Sequence, residues 1–182
     1  MIPDIKILDE KNKLLRQKSK EVKFPLSDKD KDLIDKSLKY LELSQIKDIS
    51  EKYNLRPGMG LAFPQLGLLK RIFVICNEVD ENKFEKYVLI NPKIVSHSEE
   101  LIYVEEGEGC LSVNREVEGI VPRFARCKIS AYDKDGNLQT YRVREDLSVA
   151  FQHELDHLNG ILFTDKIDKK NPYKDAEKMR AI

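Results

Sequence analysis

Net charge, long apolar runs and paired cysteines are what this sequence lacks. Its 32 lysines and arginines balance 32 aspartates and glutamates, so composition gives no argument for a polyanionic partner or a generally basic nucleic-acid-binding surface. The lysine-rich run at 166–170 reads as solvated surface. No apolar stretch approaches the ~20 residues needed to cross a bilayer. The Met1-Ile2-Pro3-Asp4-Ile5-Lys6 start has no basic flank, apolar core or small-residue cleavage site. A cytoplasmic protein that does not enter the membrane is the expectation. Cys76, Cys110 and Cys127 form an odd, scattered set, which argues against a disulfide framework and for reduced thiols. Internal repeats and low-complexity segments are missing as well. A chain of 182 residues without these features fits one compact domain, 1–182, able to bury roughly two-thirds of its unfolded surface.

What is present is punctuated pattern. Ser27-Asp28-Lys29-Asp30 offers a hydroxyl cap and early acids, and Leu33, Ile34, Leu38 and Leu41 follow at helical spacing. A surface helix over 28–43 is expected, then a short one over 46–53. Arg56-Pro57-Gly58 opens a loop that leads into Gly60-Leu61-Ala62-Phe63-Pro64-Gln65. Strands are expected at 71–76, 87–91 and 101–105, rich in β-branched and aromatic residues, with antiparallel pairing as the simplest connection. Segments 125–132 and 138–144 alternate around Asp133-Lys134-Asp135-Gly136-Asn137, a hairpin with Asp-Gly in its turn. A final helix is expected from Asp146, as cap, to Leu158, stopped by Asn159-Gly160. It places Leu147, Phe151, Leu155 and Leu158 on one stripe and Ala150, His153, Glu154 and His157 on another, so several of its sides should be buried. The fold class is α+β: antiparallel β-sheets packed around a central metal-binding helix, with an additional N-terminal helix. The polar tail, 171–182, carries no structural signal.

The chemistry concentrates in His153-Glu154-Leu155-Asp156-His157. Two imidazoles four residues apart project from one helix face, and a carboxylate between them stands where it can take a proton from a coordinated water. A catalytic site of this kind needs a third protein ligand. Cys110, in Glu108-Gly109-Cys110-Leu111-Ser112, has the best local context, with Gly109 letting backbone approach closely. Cys76 and Cys127 sit in apolar strand patterns and read as core thiols. A zinc endopeptidase remains an alternative; no histidine follows His157, but Glu177 is an available downstream acid. A structural metal protein is another.

Three ordered motifs, Gly58-Met59-Gly60-Leu61-Ala62-Phe63-Pro64-Gln65, Glu108-Gly109-Cys110-Leu111-Ser112 and Gln152-His153-Glu154-Leu155-Asp156-His157, resemble the peptide deformylase family across nearly the whole chain. The stretch at 45–56 resembles its larger, type 2 branch. The resemblance implies a hydrolase that removes the formyl group from the N-terminal methionine of newly made polypeptides and releases formate. It implies Cys110, His153 and His157 as ligands of one divalent ion, with Glu154 passing the proton to the leaving amine. Ferrous iron is the expected ion, with zinc, nickel or cobalt as substitutes, and the iron form should be sensitive to oxygen. The Gln65 amide and the Leu111 backbone N–H become the oxyanion donors, Gly60 offers backbone to the extended substrate, and Val149 and Ala150 line a pocket for the methionine side chain. Asp156 is expected to be a supporting or surface group, and Glu108 and Arg123 a charged pair behind the Cys110 loop. Met59 and Phe63 depart from the family's usual residues and are expected to reshape the cleft. The partners implied are N-formyl-methionyl nascent polypeptides, with transient ribosome contact left open because the tail has no distinctive docking pattern.

Overall fold

A computed structural model describes residues 2–182; after a single 3-10 turn at Lys13–Arg16 comes the first α-helix, α1 (Asp28–Gln45). Ser27 caps it, its Oγ accepting from the Asp30 N–H at 3.2 Å. Ile34, Leu38 and Leu41 form its buried stripe. The helix runs past 43 because Gln45 has a partner in the sheet, donating to the Cys76 carbonyl at 2.9 Å. The short helix α2 (Lys47–Tyr53) ends at Asn54 in a left-handed conformation.

One sheet contains β1 (Gly60–Ala62), β2 (Ile72–Asp80), β3 (Lys83–His97), β6 (Arg126–Tyr132) and β7 (Leu138–Arg144), in the order β1-β2-β3-β6-β7 with every pairing antiparallel. β3 is far longer than the expected 87–91. Asn91-Pro92 looks like a terminator in sequence, but the strand passes through it as an irregularity, with Asn91 at φ 51° and the register shifting between Ile90 and Lys93. The Asn91 side chain repairs the backbone bonding there, exchanging hydrogen bonds with Val22 at 2.8 and 2.9 Å. The expected hairpin joins β6 to β7, with Gly136 in the left-handed region.

A second sheet has the order β5-β4-β8, made of β5 (Arg123–Phe124), β4 (Leu101–Tyr103) and β8 (Arg180–Ala181). The polar tail, which carried no structural signal in the sequence, returns alongside β4 in parallel, with Ile102 opposite Arg180. A parallel pair needs a long connection, and 76 residues, 104–179, lie between the end of β4 and the start of β8.

Between the sheets lies α3 (Glu145–Leu158), which packs on β1, β2 and β7 from the first sheet and β5 from the second. Its start also differs from expectation: Asp146 is inside the first turn rather than at the cap, which is Arg144 without a side-chain bond. Gly160, at φ 74°, supplies the left-handed stop. Phe151 anchors the buried stripe, meeting Phe73 edge-on at 5.7 Å and Tyr87 at 5.4 Å between ring centres. On another side, Gln152 acts as a surrogate strand, accepting from the Phe124 N–H and donating to the Phe124 carbonyl, both at 3.0 Å. Among the described residues, no helix is long and apolar enough to cross a membrane.

Candidate active site

α3 brings His153, Glu154 and His157 together because residues three and four apart share a helix face. The loop between β4 and β5 adds the thiol: Cys110 Sγ lies 3.3 Å from His157 Nε2. One ligand atom from each of Cys110, His153 and His157 falls within 4.8 Å of the others, and all three residues are buried. Donors on one tetrahedral ion, with bonds of 2.0–2.3 Å, sit about 3.5 Å apart, so these side chains converge on the scale of a single metal site. One thiolate and two imidazoles also suit a transition metal chemically.

Behind the donors runs a buried charge network. His153 Nδ1 is 2.8 Å from Glu108 Oε2, which leaves Nε2 for the cluster. Arg123 clasps Glu108 through two bonds of 2.7 and 2.9 Å and reaches Asp156 at 2.6 Å. Burial opposes the Glu108 charge, but hydrogen bonds from His153 and Arg123 outweigh it and hold the carboxyl down at about 2. Burial also pulls against His153, yet its bonds to Cys110 and Glu108 leave it well above the ordinary imidazole value. His157 falls well below that value through burial and the neighbouring His153.

Glu154 has no such support. Its Oε2 is buried without a partner, as is His157 Nδ1. Burial, with Glu108 and Asp156 nearby, pushes its carboxyl up to about 7 against the opposing pull of His153 and Arg123. A partnerless carboxyl poised near neutrality is suited to proton transfer. Gly60 explains how it fits: a Cβ there would come within 2.8 Å of both Cγ and Cδ of Glu154. The close approach at Gly60 is thus to the carboxylate.

A cleft of about 320 Å³ opens over these groups, bordered by Gly60, Gln65, Cys110, Leu111, Val149 and Ala150 together with His153 and Glu154. Of the expected site residues only His157 is not on its wall, being 1% exposed. Gln65 is oriented by its own turn: Oε1 accepts from the Ala62 N–H at 2.8 Å, so the amide nitrogen faces Ser112 Oγ at 3.1 Å and Cys110 Sγ at 3.7 Å. The Ser112 N–H adds a second donor to that sulfur at 3.4 Å.

Two expectations need correction. Phe63 does not border the cleft; it is fully buried in the core against α1 with Ile34, Leu38 and Leu41, so of the two only Met59 lies on the cleft wall. Gly109 makes no close approach either, since a Cβ there would meet nothing within 4 Å. Cys76 and Cys127 are buried as expected, and burial pushes the Cys76 thiol up to about 11. Glu177, the ligand an endopeptidase would need, is exposed in the turn Ala176–Lys178 and outside the cluster. Sequence reasoning missed Arg56 and Val104 on the cleft wall; Arg56 had only its position beside Pro57-Gly58 to mark it.

An α+β fold that gathers a cysteine, two histidines and an unpaired buried carboxylate beneath one cleft defines a metal-dependent hydrolase. The family model described as Polypeptide deformylase matches residues 5–173. A peptide deformylase of Shouchella clausii is 47% identical over 170 residues, covering 92% of each chain. Peptide deformylase 2 of Bacillus subtilis is 42% identical over 168 residues, covering 92% of this chain and 91% of its own, in keeping with the type 2 branch. The crystal structure of peptide deformylase from Thermotoga maritima superposes with a TM-score of 0.71 at 29% identity, covering 90% of this chain and 97% of that one. The chain belongs to the polypeptide deformylase family, metal-dependent hydrolases that remove the N-formyl group from nascent peptides.

Proposed function

We propose that residues 1–182 form one catalytic unit that releases formate from N-formyl-methionine at the head of newly made polypeptides in the cytoplasm. Cys110, His153 and His157 hold one divalent ion in this reading. Ferrous iron is the working metal, and zinc, nickel or cobalt can replace it. The observation that carries the proposal is the convergence of these three donors beside the partnerless Glu154 carboxylate. When bound, such an ion would supply Lewis acidity and make the attacking water easier to deprotonate.

The protein's own groups account for the rest. Glu154 takes the proton from the attacking water and returns it to the amine that leaves. As the formyl oxygen gains negative charge, the Gln65 amide and the Leu111 N–H donate to it, and losing one such donor typically costs about 3 kcal/mol of barrier stabilisation. Val149 and Ala150 supply apolar wall for the methionine side chain. β1 is an edge strand, so Gly60 can offer backbone groups to an extended peptide laid beside it. Transient contact with the ribosome is part of the same reading, since the substrate emerges there.

An anaerobic assay of a formyl-methionyl peptide with ferrous-loaded protein tests the proposal. Formate release by the parent, its loss in Glu154→Ala and no cleavage of an unformylated internal peptide are expected. Cleavage of the internal peptide without deformylation would overturn it. Activity of the iron form that survives prolonged aerobic handling unchanged would count against iron.

A further inference from the structure

Arg56 borders the cleft but has none of the roles above. Its guanidinium lies against the backbone that follows Cys110. Nη2 donates to the carbonyl oxygens of Cys110 and Val113, each at 2.9 Å. Nη1 donates to the Leu111 carbonyl at 3.2 Å and to the Asn114 side chain. All these acceptors are neutral, so the arginine is used as a fork of donors and not as one half of an ion pair.

One of those bonds has a geometric consequence across a peptide plane. The Cys110 carbonyl and the Leu111 N–H belong to the same peptide, and that bond is not among the cis peptides of the chain. In a planar trans peptide the C=O and N–H point in opposite directions. Drawing the Cys110 carbonyl toward Arg56 therefore turns the Leu111 N–H away from it, and that N–H meets no acceptor among the described residues. The bond to the Leu111 carbonyl sets the next plane as well. The side chain is seated by the same loop, because a Cβ at Gly58 would come within 2.8 Å of Leu111 Cδ1. Gly58 is tied in turn to α1, its N–H donating to Ser44 Oγ at 3.3 Å.

We propose that Arg56 is a positioning residue that aims the Leu111 N–H at the formyl oxygen by fixing the Cys110–Leu111 peptide plane. The inference rests on the deformylase reading given above. Lysine cannot replace it, because several acceptors in a fixed arrangement need the rigid, multi-donor guanidinium, whereas an ammonium is a point charge on a flexible stem.

Steady-state kinetics of the ferrous-loaded parent, Arg56→Ala and Arg56→Lys on a formyl-methionyl peptide test this, with metal content measured for each. Removing an oxyanion donor outright costs about 100–1,000-fold in kcat, so misaiming one should cost Arg56→Ala ~10–100-fold. KM and metal content should stay within about 3-fold of the parent, added guanidinium ion should restore part of the lost kcat, and Arg56→Lys should stay near the alanine variant. A kcat for Arg56→Ala within about 3-fold of the parent overturns the proposal, as does a loss accompanied by an equal loss of metal or an equal rise in KM. If Arg56→Ala does not fold, Arg56→Lys decides: parental kcat overturns the proposal, and a ~10-fold drop at unchanged KM supports it. A folded, metal-loaded parent that releases no formate is a different result, which overturns the deformylase reading and this proposal with it.

Discussion

Replacing Gly60 with alanine tests the placement of Glu154 more directly than replacing Glu154 itself. Gly60 is not among the positive-φ glycines, so alanine meets no backbone strain there. The new methyl would instead press on Glu154 Oε1 first and stand 2.8 Å from its Cγ and Cδ, closer than real Cβ atoms come to any neighbour. Restoring a van der Waals separation of 3.5–4.0 Å requires the carboxylate to move by about 1 Å. Overpacking of this size costs about 1–3 kcal/mol, partly offset by the ~0.4–1 kcal/mol gained when glycine's unfolded-state freedom is removed. The variant should therefore fold with a modest loss of stability. Its chemistry should suffer far more, because a 1 Å misplacement in an active site costs about 100-fold in rate. Formate release under saturating peptide, measured beside metal content and the thermal midpoint, separates the two effects. A Gly60→Ala protein that keeps its metal and retains kcat within about 3-fold of the parent would refute the reasoning, since Glu154 would then tolerate displacement and could not be the proton-transfer group.

Glu108→Gln should weaken metal retention by ~10–100-fold, because Glu108 orients His153, and chelator competition reads this. It should also cost about 3 kcal/mol of stability in denaturant titration, since it breaks the buried Arg123–Glu108 pair and leaves the guanidinium to Asp156. The Glu108 carboxyl sits at about 2 instead of the ordinary 4.5, so its contribution is whole above the ordinary value and drains as pH falls through about 2. The parent should thus lose stability more steeply than Glu108→Gln across that window, and equal slopes would count against the network. Removing the metal should abolish activity and lower the thermal midpoint, by the equivalent of about 2.7 kcal/mol when the ion had been present at 100 times its Kd; re-addition should restore both. Cys76→Ala and Cys127→Ala should keep formate release within about 3-fold, whereas Cys110→Ala should lose the ion, as metal analysis will show.

What sequence reveals here is whatever its local pattern controls. α1 and α3 were legible because caps, glycine stops and apolar stripes all lie within one or two helical turns. The β6–β7 hairpin was legible through Asp135-Gly136. β1, β5 and β8 were not, because two or three residues give no measurable alternation and these lack the β-branched and aromatic run that marked 101–105. β3 was underestimated because Asn91-Pro92 carries the chemistry of a break while Val22, far away in sequence, repairs it. The site divides the same way. His153, Glu154 and His157 declare themselves by spacing, and Cys110 by its motif. Arg56 does not, because its partners are carbonyl oxygens 54 to 57 positions away, and every residue type has a carbonyl.

The edge-on packing of Phe151 on Phe73 and Tyr87 reaches further than the core it fills. Phe151 shares one rigid helix with His153, Glu154 and His157, so the ring that stops α3 from turning about its axis also sets where both imidazoles point. Truncating that ring would let the helix roll, and an ion held by His153 and His157 would sense the roll as strain in its coordination. Linkage is reciprocal: an ion that preferred one rotation of α3 would tighten the aromatic packing on the helix's far side. Ion affinity would then be a gauge of how well this core is packed, readable at a distance from every ligand.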